Sequence, residues 1–327
     1  MSRLLRLNLR LDARLGLIGA VALLAASACA SAASPSPSGT AAPVVPGASS
    51  AVTPAVGGSP IAVLGTENFY ADVLTQIGGS RVNATSLISD PNTDPHSYEA
   101  SPQAAAAVAD AQVVIVNGIG YDDFMQHLLD ASPNASRVVI DVQDLLGLSD
   151  DANAHIWYDP GTMPKVAASV EAALAKIEPA NAPYFQARLD AFLVSLKPLT
   201  DKIAEMSAKY SGAAVAFTEP VAGYLAKAVG LDVLTPEGFQ KAIEDGTDPA
   251  PADVATEQDL LTGHKVRVLL YNSQVVSPIT QQIHDLAVSN GIPVVGVAET
   301  MPPAYTNYQS WQLAQMNEIE QALAMGA

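Results

Sequence analysis

Residues 181–210 read NAPYFQARLDAFLVSLKPLTDKIAEMSAKY. Tyr184, Leu189, Phe192, Leu196, Leu199, Ile203 and Met206 recur close to the helical period, the mark of an amphipathic helix. Asn181 stands where a cap would, Pro183 falls in the first turn, and Pro198 predicts a kink. A helix of roughly 27 residues would be about 40 Å long, too long for a single layer of an α/β domain. It therefore reads as a spine, residues 179–210, between an amino-terminal lobe, 60–178, and a carboxy-terminal lobe, 211–327.

Outward from the spine, helix and strand signals alternate. Continuous apolar runs at Ile61 to Gly65, Val113 to Asn117, Val138 to Val142, Ala214 to Thr218, Val266 to Tyr271 and Pro293 to Ala298 read as strands covered on both faces. Helical patterns lie between them, among them Phe69 to Ile77, Pro102 to Ala111, Met163 to Ile177, Val254 to Leu261 and Trp311 to Leu323. That alternation implies an α/β fold of two lobes, each a parallel sheet wrapped by helices, with a ligand cleft between them.

The chain opens MSRLLRLNLRLDARLGLIGAVALLAASACA, with Arg3, Arg6, Arg10 and Arg14 ahead of a short apolar run. Residues 1–29 read as a secretory signal, since the run is too short to span a bilayer. The only cysteine, Cys29, follows Ala26-Ser27-Ala28, where a lipoprotein signal places its acylated residue. A lone cysteine makes no internal disulfide, and lipidation gives it a role. Ordinary cleavage nearby, leaving Cys29 incidental, is the alternative. Residues 30–59 are almost entirely Ala, Ser, Pro, Gly, Thr and Val, a tether that buries no core. The expected location is extracytoplasmic, anchored to the cell membrane by lipid or else secreted. The net charge is −17, and the basic signal makes the exported remainder more acidic still. Such a chain does not suit nucleic acid and favours cations near its surface.

Four residues just beyond strand or turn signals are candidate metal ligands: His96, His155, Glu219 and Glu299. Ligands of open α/β sheets sit outside the carboxyl ends of the strands, and two neutral imidazoles with two carboxylates neutralise one divalent cation. His96 lies between Pro91, Pro95 and Tyr98, with Asp94 or Glu99 able to hold its second nitrogen. His155 precedes Ile156-Trp-Tyr-Asp-Pro160, in which Trp157 would shield the site and Asp159 would cap a helix beginning at Pro160. Each also has an ordinary role: His96 in a turn, His155 at a helix entrance, Glu219 as a helix cap worth about 0.5 to 1 kcal/mol, Glu299 at the start of a surface loop. His127, His264 and His284 read as solvated, and Tyr308 and Trp311 as core.

Together, Asp94-Pro-His-Ser-Tyr-Glu99, His155-Ile-Trp-Tyr-Asp-Pro160, Thr218-Glu-Pro220 with Gly223-Tyr224, and Glu299-Thr-Met-Pro302 with Tyr308-Gln-Ser-Trp311 resemble the metal-binding receptors of bacterial ABC importers, the cluster 9 or A-I family that takes up manganese and zinc. The resemblance runs from Ile61 to Leu323. It implies two α/β lobes joined by a long helix, with the ion buried between them on His96, His155, Glu219 and Glu299. The last match replaces the family's usual Asp by Glu. The long histidine-rich loop of many zinc importers is absent before His155, where residues 147–154 are short and carry no histidine. The resemblance also implies a monomeric receptor that delivers its cargo to an ABC permease served by a separate ATPase subunit. Carboxylate oxygens suit manganese, zinc binds the same set more tightly, and iron(II) stays in contention. Lobe movement is expected to be modest, and affinity is expected to fall below a pH of about 6.5 as protons compete for imidazole.

Two rivals come from other classes. An exported zinc hydrolase would keep three protein ligands and a water-filled position, yet the chain has no His-Glu-x-x-His or nucleophile elbow. A surface adhesin suits the tether equally well. The expectation is a non-enzymatic receptor.

Overall fold

The computed structural model describes residues 52–55, 58–90, 98 and 100–326. The signal, Cys29, most of the tether, and Asp94, His96 and Glu99 lie outside the described residues.

Two parallel four-stranded sheets form the frame. In the first, β1 (Ile61–Glu67), β2 (Val82–Ile88), β3 (Val113–Val116) and β4 (Val138–Asp141) lie in the order β2-β1-β3-β4. In the second, β5 (Ala214–Phe217), β6 (Asp232–Val233), β7 (Leu269–Asn272) and β8 (Val294–Val297) repeat that order as β6-β5-β7-β8. Around them run α1 (Asn68–Gly78), α2 (Pro102–Asp110), α3 (Phe124–Ala131), α4 (Val142–Leu146), α5 (Thr162–Ile177), α6 (Ala182–Ser195), α7 (Lys197–Tyr210), α8 (Gly223–Val229), α9 (Glu237–Glu244), α10 (Pro251–Thr262), α11 (Pro278–Ser289) and α12 (Tyr308–Met325). Among the described residues no helix is long and apolar enough to cross a membrane.

Successive strand residues enter different cores, as a pleat covered on both faces requires. Val63, Val113 and Ile115 join the main cluster while Leu64, Val114 and Val116 join a second one on the far side. In the other sheet Val215, Phe217, Leu270 and Val297 join that same main cluster, and Ala216 and Leu269 turn to a third. One core therefore runs through both sheets. Phe69 of α1 stacks on Trp157 with ring centroids 4.7 Å apart, and Trp311 of α12 lies 6.0 Å from Phe69.

Some elements carry no apolar run. The edge strand β2 reads Val-Asn-Ala-Thr-Ser-Leu-Ile and is largely half-exposed, and β6 is two residues long. The expected strand through Val142 ends at Asp141, whose carboxylate accepts the Asp144 N–H at 3.1 Å and starts α4. The spine runs as α6 and α7 with Leu196 between them. Pro198 supplies no N–H and its ring crowds the carbonyl four residues back, so Leu199 N closes a tighter turn on Leu196 O at 3.0 Å. Asn181 is not the cap expected of it. Its Oδ1 accepts from Ala55 N at 2.7 Å and its Nδ2 donates to Glu178 Oε2 at 2.8 Å, across the end of α5.

Candidate metal centre

In each sheet the chain leaves the first central strand in one direction and the second in the other, so the switch points fall between β1 and β3 and between β5 and β7. Outside the carboxyl ends at such points the strands splay and leave a crevice for ligands. Glu67 ends β1, Asn117 follows β3, Glu219 follows β5, Asn272 ends β7 and Glu299 follows β8. All five are buried to within 1 % of complete exclusion.

Asn272 joins the two carboxylates. Its Oδ1 accepts from Gln274 N at 2.9 Å, which turns its amide nitrogen toward Glu299 Oε1 at 2.6 Å and toward Glu219 Oε2. Glu219 makes no side-chain cap of the turn that follows it, so its ordinary role is not taken. Glu299 is not the solvated loop residue of the alternative. Its Oε2 receives the Tyr121 hydroxyl at 2.9 Å, and Gln274 Oε1 clamps its backbone N–H at 2.5 Å and that of Thr300 at 2.9 Å.

His155 completes the described group. Its Nε2 faces Glu299 Oε2 at 3.6 Å, and its Nδ1 lies 2.8 Å from Asn153 Oδ1. That oxygen also accepts the His155 backbone N–H at 2.9 Å, which identifies it as the carbonyl end of the amide. Nδ1 therefore carries the proton, and the Nε2 lone pair points into the centre, the tautomer a metal-binding imidazole needs. Trp157 is buried with its ring 5.2 Å from that of His155. Asp159 is not the expected cap: α5 begins at Thr162, and the carboxylate accepts from Gly161 N at 2.8 Å, in the turn ahead of the helix. Tyr308 donates to Trp157 O at 2.6 Å and Trp311 is buried, both in core roles.

Asn153 ties the lobes together at the centre. Besides holding His155, its Nδ2 donates to Pro220 O at 2.7 Å, next to Glu219, and its carbonyl receives the Tyr224 hydroxyl at 3.0 Å. A Cβ on Gly223 would come within 2.8 Å of that Nδ2. Gly223 has ordinary helical angles, so Gly223→Ala is expected to keep or raise the melting temperature through helix propensity. By displacing Asn153 it is expected to weaken metal binding roughly tenfold, measured by competition with a chelating dye.

Tyr121 arrives by a strained loop. Ile119 sits at φ 57, where a β-branched residue is rare, between Gly118 and Gly120. The loop is over-determined: Gln143 Oε1 accepts Ile119 N at 2.7 Å, and Asp122 accepts Asn117 N at 2.7 Å and Gly118 N at 2.9 Å. Burial pushes Asp122 up to about 6 against those bonds. Burial first, then the charges of Glu299 and Glu67, raise the Tyr121 hydroxyl well above its ordinary range and keep it a donor.

Among the described residues no three His, Cys, Asp or Glu side chains are grouped closely enough to hold a metal ion. The carboxylates of Glu219 and Glu299 meet at the Asn272 amide, and His155 approaches from the other lobe. A cleft of about 440 Å³ opens between residues 119–120 and 150–154 on one side and Glu237, Gln240, Lys241, Glu244 and Asp245 on the other, and Glu244 Oε1 lies 3.8 Å from His155 Nδ1. The sequence reading passed over Asn153, Tyr121, Asn272, Gln274 and Glu67. The one available signal was position, since Glu67, Asn117 and Asn272 are polar residues that close buried strands.

The chain resembles the manganese-binding lipoprotein MntA of Halalkalibacterium halodurans, 26% identical over 182 residues that cover 54% of this chain and 60% of that protein. It also resembles the high-affinity zinc uptake system protein ZnuA of Bacillus subtilis, 21% identical over 216 residues, 60% of this chain and 66% of that one. These matches span 60% to 66% of the relatives' length. The structure of the periplasmic zinc-binding protein TroA from Treponema pallidum superposes with a TM-score of 0.68 at 19% identity, over 81% of this chain and 99% of TroA, and shares the fold. The family model described as zinc-uptake complex component A, periplasmic, matches residues 63–322, and the chain belongs to that ZnuA family.

Proposed function

We propose that this protein is an extracytoplasmic receptor that captures one divalent transition-metal ion, manganese or zinc, between its lobes and delivers it to an ABC permease. The observation that carries the reading is the buried meeting of His155 Nε2 with Glu299, and of Glu299 with Glu219 through Asn272, at the carboxyl ends of strands. His96 is the fourth donor of this reading, with Asp94 or Glu99 to hold its second nitrogen. Family membership supports a transport role and no catalytic one. The permease with its ATPase subunit is the partner, the chain acts as a monomer, and Cys29 carries the lipid that holds a tether, residues 30–59, to the membrane. Residues 60–178 and 211–327 are the lobes and 179–210 the link. The shared core and the Asn153 bridge favour local rearrangement over wide closure.

The two mixed carboxylates place manganese slightly ahead of zinc, with iron(II) third. Purified apo-protein dialysed anaerobically against equal low concentrations of the three ions is expected to retain one equivalent by elemental analysis. His155→Ala is expected to retain none. At 1,000 times the dissociation constant, the bound ion stabilises the fold by about 4 kcal/mol, which appears as a higher melting temperature. Retention of no ion at neutral pH would remove the reading.

A further inference from the structure

Glu67 is wholly excluded from solvent, and neither of its carboxylate oxygens has a hydrogen-bond partner beyond its own backbone N–H. Among the described residues no Lys or Arg pairs with it. A buried carboxylate with neither counter-charge nor donors is costly while ionised, so it either keeps its proton or meets a cation. Its surroundings point to the same centre. Asn68, the next residue, donates Nδ2 to Met301 O at 2.8 Å and accepts Met301 N at 2.9 Å, which pins the end of β1 to the loop that carries Glu299 two residues earlier. Tyr121, bonded to Glu299, also feels the charge of Glu67, and Glu67 feels Glu299.

We propose that Glu67 is a carboxylate ligand of the cargo cation, supplied by the switch point of the amino-terminal sheet opposite Glu219 and Glu299. The inference rests on the metal-receptor reading and extends its donor set. It would give the centre three carboxylates from the strand ends of both sheets, drawn in by the ion, since without it no three of these described side chains are grouped closely enough to hold a metal. Two donors aimed at Glu299, the Tyr121 hydroxyl and the Asn272 amide, meet the surplus negative charge. Such an oxygen-rich set suits a cation that takes more than four ligands, manganese before zinc.

The test is titration of metal-stripped protein with Mn²⁺ alone, in competition with a chelating dye, for wild type, Glu67→Gln, Glu67→Asp and His155→Ala. Glu67→Gln is expected to bind Mn²⁺ about 10- to 100-fold more weakly while its apo form melts no lower than wild type, because the Glu67 carboxyl makes no hydrogen bond that the amide would lose. Glu67→Asp, which keeps the charge on a shorter arm, is expected to fall between and carries the test should the glutamine variant not fold. Wild-type affinity in Glu67→Gln beside lost binding in His155→Ala overturns this assignment and leaves the receptor reading intact. Weakened binding matched by a lower apo melting temperature overturns it as a packing effect. Absence of Mn²⁺ binding by wild type overturns the assignment, and the receptor reading falls with it if wild type does not bind Zn²⁺ either.

Discussion

Glu299→Ala is expected to lower metal affinity by about two to three orders of magnitude, the scale of removing one partner from a buried charged group. The side chain receives the Tyr121 hydroxyl and the Asn272 amide and faces His155 Nε2, so its loss would take away a proposed ligand and leave two buried donors without this acceptor. Glu299→Gln separates these effects. The amide is nearly the same shape, and its oxygen still accepts from Asn272. Its nitrogen would then stand where Oε2 faces His155 and donate to the very lone pair that the ion needs. The glutamine variant is therefore expected to bind as poorly as the alanine variant while its apo form melts closer to wild type, since only the Tyr121 hydroxyl loses its acceptor. Isothermal titration with Mn²⁺ and Zn²⁺ beside thermal melts of the apo forms checks both halves. Retention of wild-type affinity by Glu299→Gln would remove Glu299 from the ligand set.

Glu299 and Glu219 were legible because each ends an apolar run where a parallel strand stops, and a carboxylate there either caps a helix or meets a ligand. In the structure Glu219 leaves the turn uncapped and accepts from Asn272. His155 was legible from its place before Trp157, but its orientation was not, because Asn153 reads as one more polar loop residue until its amide is seen touching Pro220 as well. Asn272 and Tyr121 were opaque for the same reason: an uncharged polar residue after a strand has many ordinary roles, and only contact over long sequence separations reveals its use. Continuous apolar runs mark six of the eight strands among the described residues. They miss β2, whose outer edge is wet, and β6, too short for any pattern. The break of the spine at Leu196 was legible, since proline acts locally through its ring and missing donor.

Glu257 sets the stability of the second lobe against pH. It lies on the face of α10 that carries Leu260 and Leu261, three and four residues on, both in the third core cluster, and it is fully buried. Burial pushes its carboxyl up from 4.5 to about 7, and the nearby Thr235 hydroxyl offsets part of that. Neither carboxylate oxygen meets hydrogen-bond geometry, so the support from Thr235 is weak. A folded-state value above the unfolded one means the native protein holds the proton more tightly. Its stability is therefore fully present below about 4.5 and is lost as pH rises toward 7. At about 1.4 kcal/mol per unit the loss comes to about 3 kcal/mol at pH 8. Glu257→Leu is expected to recover most of it, raising the melting temperature at pH 8 by about 5 to 10 °C, and Glu257→Gln part of it. The advantage is expected to shrink as pH falls and to vanish near 4.5, a signature that improved packing alone would not show. Melts of metal-free protein across that range test the sign, and a gap independent of pH would count against it. Metal affinity separates Glu257 from Glu67. Both are buried carboxylates without adequate donors, but only Glu67 ends a strand at the proposed metal centre, so neutralising Glu257 is expected to stabilise the fold and leave Mn²⁺ binding as it was.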